Sequence, residues 1–354
     1  SQRDVYMAMI DDLDAAMETL YTFASAGDGI LMRDFDISSF KGDSRLWVSF
    51  ANTLKLRMAI RMSGVEPEAR RIAEEAVRDM ATYGLIDANA ENLSFSSDSR
   101  QNPFYTQATS TSWQDLRSNA SIVMYMNAYE DPRRASYFSK SGYDGIYVGV
   151  RAGIQNVTPT DYATYSYPLF AEKDPVPVMY ASESWFLRAE GALLGWTMGD
   201  TAENLYNTGV KTSLELWGNG SSYETYIASE TAPALSYADP RNKHNVSDFG
   251  TAVSVKWADD GNELERIITQ KWIANHMIGH EAWADVRRTG YPRLLQVVNN
   301  LSGGMWGNVD SSKGIRRLHY PQSEYDNNRE NVLKGVELLG GSDLHGTDVW
   351  WAKK

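Results

Sequence analysis

The 354-residue chain contains no cysteine. Disulfides, thiolate metal sites and a cysteine nucleophile are therefore excluded within it. Positive charge is also in deficit: the formal net charge is −12, which disfavours binding to nucleic acids and to anionic membrane surfaces. The sequence has no apolar run of about 18 residues or more, so it predicts no transmembrane helix. We therefore expect no nucleic-acid partner and no membrane-spanning segment.

Motifs that would indicate an enzyme are missing as well. No glycine-rich phosphate loop precedes a lysine, and no nucleophile elbow occurs. Acidic residues are plentiful, with 46 Asp and Glu, and most are expected on solvated helix faces. Glycosidase catalysis needs two carboxylates that face each other across a cleft, and a sequence does not reveal that separation. We predict no catalytic residue.

One histidine pair has the spacing of a metal site. His276 and His280 are four residues apart and would share one face of a helix. Zinc proteases place a glutamate inside such a pair, whereas this pair encloses Met277, Ile278 and Gly279. Gly279 also weakens the helix that the ligand geometry requires. We interpret the pair as polar side chains at a junction between helices and predict no metal and no cofactor.

What the sequence does contain is helical periodicity. It is 42% hydrophobic and 23% charged, which is typical of a folded globular protein. Apolar residues recur at spacings of three and four, the period of one helical face, so the fold class predicted is all-α. Val5, Met9, Leu13, Met17 and Leu20 form the first such stripe. Trp47, Phe50, Leu54 and Met58 form the second, and the charged residues Lys55, Arg57 and Arg61 lie beside it. Further helices are predicted near 67–83, 116–129 and 324–336.

Residues 180–217 give the best-formed helix pair. Two amphipathic helices with small residues at their expected crossing resemble a tetratricopeptide repeat in length. The helices near 47–61 and 67–83 could form a degenerate second copy. We expect residues 1–354 to form a single helical domain. Because the chain begins inside an amphipathic helix, we also expect the N-terminal part of the full protein to be missing.

The segment 263–290 predicts a helix, a break near Gly279 and a second short helix. Gly290 is expected as a left-handed cap, and Pro292 prevents continuation of the second helix. Trp272 and Trp283 are expected to point into the core.

Long irregular segments separate the helices and hold many aromatic residues. The chain has 20 Tyr and 11 Trp but only 10 Phe. Residues 89–112, 137–177 and 218–261 are rich in polar residues or glycine, and Ala252–Trp257 is a strand candidate within the last of them. Tyr and Trp combine an apolar face with a polar edge, which suits the binding of polar, ring-shaped ligands. The predicted ligand-binding residues are Trp113, Tyr143, Tyr147, Tyr165 and Tyr167, of which about one or two are expected to contact ligand and the rest to pack beneath the loops.

Several ordered motifs together resemble the SusD/RagB family of bacterial outer-membrane lipoproteins, in its starch-utilisation branch. They occur in the following order: FKGDSRLWVSFANTLKLRMAIRMS at 40–63, Asp131-Pro132-Arg133, the Gly/Tyr loop at 143–149, the helix pair at 181–217, Lys271-Trp272 through Glu281-x-Trp283 to Arg287-Arg288-Thr289-Gly290-Tyr291-Pro292, Arg317-x-x-Tyr320-Pro321-x-x-Glu324-x-x-x-Asn328, and Trp350-Trp351. The resemblance covers nearly the whole chain, and the order of the motifs makes it specific.

The resemblance implies a mostly helical fold with tetratricopeptide-like repeats and long ligand-bearing loops. It implies a non-catalytic, surface-exposed outer-membrane lipoprotein that captures glycans and delivers them to a SusC-type TonB-dependent transporter. The lipid-bearing N-terminal cysteine of the family is absent from this sequence, so the membrane anchor would lie outside it. Because family ligand contacts lie in variable loops, the motifs are interpreted as scaffold, including Trp283 and Arg287.

Two other functions remain open from the residues. A glycan-cleaving hydrolase on a helical scaffold would release reducing ends and would lose activity when a particular carboxylate is neutralised. A repeat-type adaptor would bind a peptide or protein helix in a groove along 180–217 and would not bind sugar. The identity of the nutrient and any role of calcium are not determined by the sequence.

Overall fold

The computed structural model describes residues 1–27, 29–31, 33–97, 101–108 and 116–353. Within these ranges the chain is mostly helical, as predicted, with fourteen α-helices and two small antiparallel sheets. The helices are α1 Gln2–Ala26, α2 Ser44–Met62, α3 Ala69–Arg78, α4 Met80–Tyr83, α5 Pro103–Ala108, α6 Ala120–Ala128, α7 Arg134–Tyr137, α8 Ala181–Leu193, α9 Ala202–Leu216, α10 Tyr223–Ile227, α11 Glu263–Ala274, α12 Gly279–Thr289, α13 Gln322–Asn327 and α14 Arg329–Leu339. None of the described helices is both long enough and apolar enough to span a bilayer.

Helix α1 begins at a capping box. Ser1 accepts a hydrogen bond from the Asp4 backbone N–H, and the Asp4 carboxylate binds back to the N-terminus. The face that it buries runs through Ile10, Met17 and Ala24 at intervals of seven residues. The predicted stripe is therefore wrong at its start, because Val5 and Met9 are 51% and 49% exposed. The helix packs on α2 along this buried face, where Met17 clusters with Val48 and Ala51, and Val5 and Met9 lie to one side of it.

Helix α2 lies in the middle of the helical layer, in contact with α1, α3 and α8. Asp43 caps its first turn by accepting a hydrogen bond from the Arg45 backbone N–H. Because α2 has neighbours on several sides, it buries polar residues as well as apolar ones, including Lys55 and Arg57. These two charges were expected beside an apolar stripe, whereas the structure places them in the interior.

Helices α8 and α9 are the pair predicted within 180–217. Thr201 caps α9 by accepting a hydrogen bond from the Asn204 backbone N–H. At the crossing, Gly209 faces Phe186, and a Cβ on this glycine would lie 3.0 Å from the phenylalanine ring. Close approach of the two helices at this point therefore depends on a residue without a side chain.

Helices α11 and α12 confirm the predicted helix, break and second helix, but the break lies at 275–278 and Gly279 begins the second helix instead of ending the first. The chain leaves helical geometry after Ala274, and Met277 adopts a positive φ of 72° before α12 starts at Gly279. Gly290 ends α12 in the left-handed conformation with φ of 86°. Trp272 packs against the core, but Trp283 does not point inward as expected. Trp283 is 36% exposed, because α12 lies at the edge of the molecule. Its indole Nε1 donates a hydrogen bond to the Ile315 carbonyl at 3.0 Å.

Charged residues from α2, α8, α11 and α12 form a buried ionic layer. Arg57 binds the Glu183 carboxylate through two nitrogens, at 2.8 and 2.7 Å. Lys271 lies 2.9 Å from Asp285, and Arg288 bridges Asp285 and Glu190. The layer thus contains three cations and three anions: Arg57, Lys271, Arg288, Glu183, Glu190 and Asp285. Burial alone would raise the pKa of Asp285, but Lys271 and Arg288 lower that pKa to about 2.

The sheets are minor elements that tie the irregular segments together. Strand β1 Leu93–Phe95 pairs with β2 Val176–Met179, and β3 Ala234–Tyr237 pairs with β4 Val246–Thr251. The strand candidate Ala252–Trp257 was wrong, because pairing with β3 ends at Thr251 and the chain then turns into the core at Val255. The predicted helix near 324–336 is divided into α13 and α14, since Asn328 leaves helical geometry between them.

Candidate functional site

Residues 139–168, called here the tyrosine loop, have little regular secondary structure but are well fixed. Ser118 donates its backbone N–H to the Ser166 carbonyl at 2.9 Å and accepts from the Val150 N–H at 2.8 Å. The Ser166 N–H donates in turn to the Val148 carbonyl at 2.9 Å. The loop is therefore bonded to the segment that leads into α6, and to itself, by backbone hydrogen bonds that do not depend on side-chain identity.

Gly149 lies at the closest approach between the tyrosine loop and α6. A Cβ at this position would be 2.7 Å from the carbonyl carbon and oxygen of Asn119 and 2.8 Å from the nitrogen of Ala120. These are backbone atoms at the start of a helix, so they could not move aside without opening the attachment. Glycine here sets how deeply the loop sits against the helix.

Three tyrosine rings of the loop lie in one row. Tyr143 meets Tyr165 edge-on, with ring centres 5.5 Å apart, and Tyr165 meets Tyr162 at 4.7 Å. Tyr143 is half-buried at the outer end of the row, whereas Tyr165 and Tyr162 are 1% and 6% exposed. The row therefore supports one partly open ring on two rings that are held inside the fold.

Tyr165 is anchored by a carboxylate from outside the loop. Its hydroxyl donates to Asp239, which also accepts backbone N–H bonds from Arg241 at 3.0 Å and His244 at 3.1 Å. Burial, followed by the bond to Asp239, raises the pKa of Tyr165 far above its ordinary value. Burial opposes ionisation of Asp239, but the bonds from Tyr165 and from the backbone outweigh it and lower the pKa of that carboxyl.

The structure does not place all five predicted residues in one site. Tyr143 and Tyr165 lie together, but Tyr165 offers no open ring face. Tyr147 packs in a different cluster, with the Arg134 guanidinium 5.0 Å from its ring centre. Tyr167 is half-buried; its carbonyl accepts from the Ser139 backbone N–H, and its own N–H donates to the Ser139 hydroxyl. Trp113 lies outside the described residues.

A cleft of about 480 Å³ opens beside the row, at the point where the chain enters α6. Its described lining consists of Leu116, Arg117, Asn119, Val150, Val157, Thr158, Pro159 and Tyr162. Apolar walls with a few polar groups are typical of ligand sites, and the volume suits a small sugar or part of a longer one.

Tyr162 lines this cleft but was not among the ligand-binding residues predicted from the sequence. Its hydroxyl is buried and has no hydrogen-bond partner in the described part of the chain. Burial is the main cause that raises the pKa of this hydroxyl. A buried hydroxyl without a partner costs free energy, so a ligand group that bonded to it would recover that cost. The only available signal was its position among the loop tyrosines that were selected.

Arg117 and Asn119 provide the polar rim of the cleft. The Arg117 guanidinium donates to the carbonyls of Tyr162 at 3.0 Å and Ala163 at 3.1 Å, which fixes the inner edge of the loop. Asn119 caps α6 through its side-chain oxygen, which accepts from the Ser121 N–H at 2.8 Å. The Asn119 side chain is exposed, so its amide N–H groups face solvent. The described lining thus offers hydrogen bonds and ring surface to a neutral, polar ligand.

The histidine pair does not form a metal site in the part of the chain that the structure describes. His276 is buried and stacks on Tyr137 with ring centres 4.0 Å apart, whereas His280 is exposed. Burial lowers the pKa of His276 to about 3, so this ring is neutral at physiological pH. Among the described residues, no group of three or more His, Asp or Glu side chains is arranged to hold a metal ion.

Comparison with known proteins places this architecture in a family. The family model described as SusD-like, the Susd and RagB outer membrane lipoproteins, matches residues 1–352. The chain belongs to the SusD-like family. No curated protein sequence matches it.

Solved structures give the same result. A chitin-binding SusD homologue from Flavobacterium johnsoniae superposes with a TM-score of 0.92 at 39% identity, covering 100% of this chain and 73% of its own. SusD homologues from Bacteroides uniformis and Bacteroides thetaiotaomicron superpose with TM-scores of 0.91 and 0.89, each at 40% identity. Both cover 100% of this chain, and 73% and 74% of their own chains are covered.

Proposed function

We propose that this chain is a non-catalytic, cell-surface glycan-binding protein that delivers its ligand to a SusC-type TonB-dependent transporter. The observation that carries the proposal is the row of three tyrosines beside the cleft. The buried hydroxyl of Tyr162, at the cleft end of this row, has no hydrogen-bond partner among the described residues. Membership of a family of outer-membrane lipoproteins supports the surface location.

We infer that the ligand is a β-linked oligosaccharide that carries acetamido groups. The support is the 39% identity to a chitin-binding homologue, together with a described cleft lining whose one charged side chain, Arg117, is bonded to backbone carbonyls. A sugar ring would place its C–H face on Tyr143. An acetamido carbonyl would accept from Tyr162, and the Asn119 amide would bind a ring hydroxyl. An acetamido methyl would lie against Val150 or Val157. Capture in this form needs no general acid or base.

Calorimetry with chitohexaose against cellohexaose tests the ligand class, because both have the same linkage and differ at the acetamido group. We expect chitohexaose to bind at least tenfold more tightly, which corresponds to about 1.4 kcal/mol. Tyr143→Ala should weaken chitohexaose binding about tenfold, as for other central aromatic contacts. Tyr162→Phe should reduce the preference for chitohexaose, because it removes only the hydroxyl. Trp113→Ala and Tyr147→Ala complete the set.

Tyr21→Ala on α1 is the control, since Tyr21 is a surface tyrosine, 38% exposed, that lies outside the tyrosine loop. Equal affinity for the two hexasaccharides, or binding that none of the loop variants changes, would refute the ligand assignment. Release of reducing ends, abolished when one carboxylate is neutralised, would replace the proposal with a hydrolase. Delivery is tested separately by uptake of labelled chitohexaose in cells that hold the transporter with and without this chain.

A further inference from the structure

A second and larger cleft, called here the α12 cleft, lies on the outer side of α12. It has a volume of about 800 Å³ and is formed by α12, the segment 292–297 and the segment 311–316. Its charged and aromatic side chains are Phe249, Trp283, Arg287, Arg293, Lys313, Arg316 and Asp348. The glycan site proposed above shares none of these residues.

The charge of the α12 cleft is opposite to that of the whole chain. Four cationic side chains and one carboxylate line it, in a chain of net charge −12. The one carboxylate, Asp348, is already bonded to Arg316. Arg293 lies 4.0 Å from Glu265, but Arg287 and Lys313 have no carboxylate within ion-pair distance among the described residues. A cationic surface on an acidic protein concentrates anions at one place.

Arg287 is the central cation of the cleft. Its guanidinium carbon lies 3.5 Å from the Trp283 ring centre and 4.7 Å from that of Trp351. It donates through Nε to the Trp283 carbonyl at 3.3 Å and through Nη1 to the Arg316 carbonyl at 2.9 Å. Nη2 has no hydrogen-bond partner in the described residues. The side chain is therefore held rigidly by rings and carbonyls, with one donor group left over.

The neighbours of Arg287 make its charge costly. Burial, and then the positive charges of Arg61 and Arg316, lower the pKa of Arg287 to about 10. Arg61 is paired with Glu281, and Arg316 with Asp348, so neither neighbouring acid is available to Arg287. A half-buried cation without a counter-ion is unfavourable, and binding of an anion would relieve that cost.

From this arrangement we infer that the α12 cleft binds the carboxylate of an acidic sugar, with Arg287 as the principal anion contact and Lys313 as a second. The apolar walls at Val286, Leu294, Val297 and Ile315 suit the C–H face of a sugar ring. The cleft volume of about 800 Å³ leaves room for two sugar rings. The choice of a sugar rests on the proposed function, whereas the preference for an anion rests on the cleft alone.

The test is calorimetry of the whole chain with digalacturonate and with its dimethyl ester, which keeps both rings and removes both charges. We expect the ester to bind at least tenfold more weakly. Arg287→Gln should weaken digalacturonate binding tenfold or more, as for loss of a hydrogen bond to a charged group. Arg287→Lys should retain part of the affinity. Lys313→Gln changes an exposed side chain and should weaken binding several-fold without affecting folding.

Arg70→Gln is the control, because Arg70 is an exposed arginine on α3 and does not line the cleft. Equal binding of the ester, or no loss in either Arg287→Gln or Lys313→Gln, would overturn the inference. Sodium sulfate that competes as well as digalacturonate at equal ionic strength would also overturn it, because the cleft would then bind free anions.

Measuring each variant with both ligands separates this inference from the proposed function. Arg287→Gln should leave chitohexaose binding unchanged, and Tyr143→Ala should leave digalacturonate binding unchanged. Digalacturonate binding without chitohexaose binding would refute the first ligand assignment and support the second site. The reverse result would refute the second site alone.

Discussion

The buried ionic layer and the tyrosine loop hold polar groups inside the protein in different ways. In the layer, three cations and three anions lie on four helices and neutralise one another. In the loop, the polar groups are mainly backbone amides and a few hydroxyls, supported by the external Asp239 and Arg117 and by an ion pair between Asp161 and Arg241. The layer depends on the identity of each side chain, and the loop mostly on its backbone.

This difference indicates which part of the chain is free to change. Removal of one ion from the layer leaves its partner buried without a counter-charge, so substitution there is costly. The tyrosine loop keeps its position through N–H to C=O bonds, which most residues can make. Ring side chains on the loop can therefore be exchanged at lower cost, which would suit the recognition role proposed for the loop.

The largest effect expected is from Glu183→Gln in the ionic layer. Glu183 is fully buried and accepts two bonds from Arg57, so the variant removes the nearer counter-charge of the guanidinium and leaves only Glu281, at 3.7 Å. We expect the free energy of unfolding to fall by about 3–5 kcal/mol. Chemical denaturation measures it, with Glu203→Gln on the exposed face of α9 as the control. A loss no greater than that of the control would show that the layer does not depend on its charges.

Next in size is Asp239→Asn, which tests whether the tyrosine loop also depends on one side chain. The change removes the charge that holds the Tyr165 hydroxyl, and we expect a loss of about 1.5–3 kcal/mol. Thermal unfolding measures it against Asp144→Asn, an exposed position on the same loop. A loss as large as that of Glu183→Gln would remove the contrast between the two regions.

A third effect is measured as a dependence on pH and concerns His276, which stacks on Tyr137. The unfolded chain protonates this histidine near pH 6.5, but the folded chain does so only near pH 3. The unfolded state therefore binds more protons in that window, and stability contributed by the neutral ring is lost as pH falls from about 6.5 to 3.

His276→Phe keeps a stacked ring and removes the titration, so its unfolding free energy should vary less with pH across this window. His280→Gln is the exposed control and should follow the wild type. Parallel pH profiles for His276→Phe and the wild type would show that His276 does not cause the dependence.

The smallest effect is expected from Tyr143→Phe. No hydrogen bond involves this hydroxyl in the described residues, and the ring contact with Tyr165 is retained. We expect the free energy of unfolding to change by less than about 0.5 kcal/mol. Differential scanning calorimetry checks this, and a larger change would place Tyr143 in the support of the loop instead of at its open end.

Helices were the most predictable part of the fold. Spacing of three and four residues located α2, α8, α9 and α11, and glycine with proline located the end of α12. Val5 and Met9 were misplaced because an apolar residue on a helix need not lie on its packed face. Trp283 was misplaced for a related reason: its burial depends on what lies beyond α12, which local periodicity does not record.

The candidate site was less predictable. The tyrosine loop was identified from its composition, but composition could not separate Tyr143 from Tyr147, which face different clusters. Arg117 and Asp239 act on the loop from positions distant in sequence, and the pairing of Asp239 with Tyr165 spans 74 residues. The ionic layer was hidden for the same reason, because charges on an isolated helix resemble a solvated face.

Gly149 has a consequence for how such proteins diversify. The absence of a side chain at this one position lets the loop seat on the start of α6, while rings on either side of it can be replaced. Related chains could thus acquire new ligand preferences by substitution along the loop without changing where the loop is mounted. Selection for a different nutrient would then act on few residues, and the helical support would need no compensating changes.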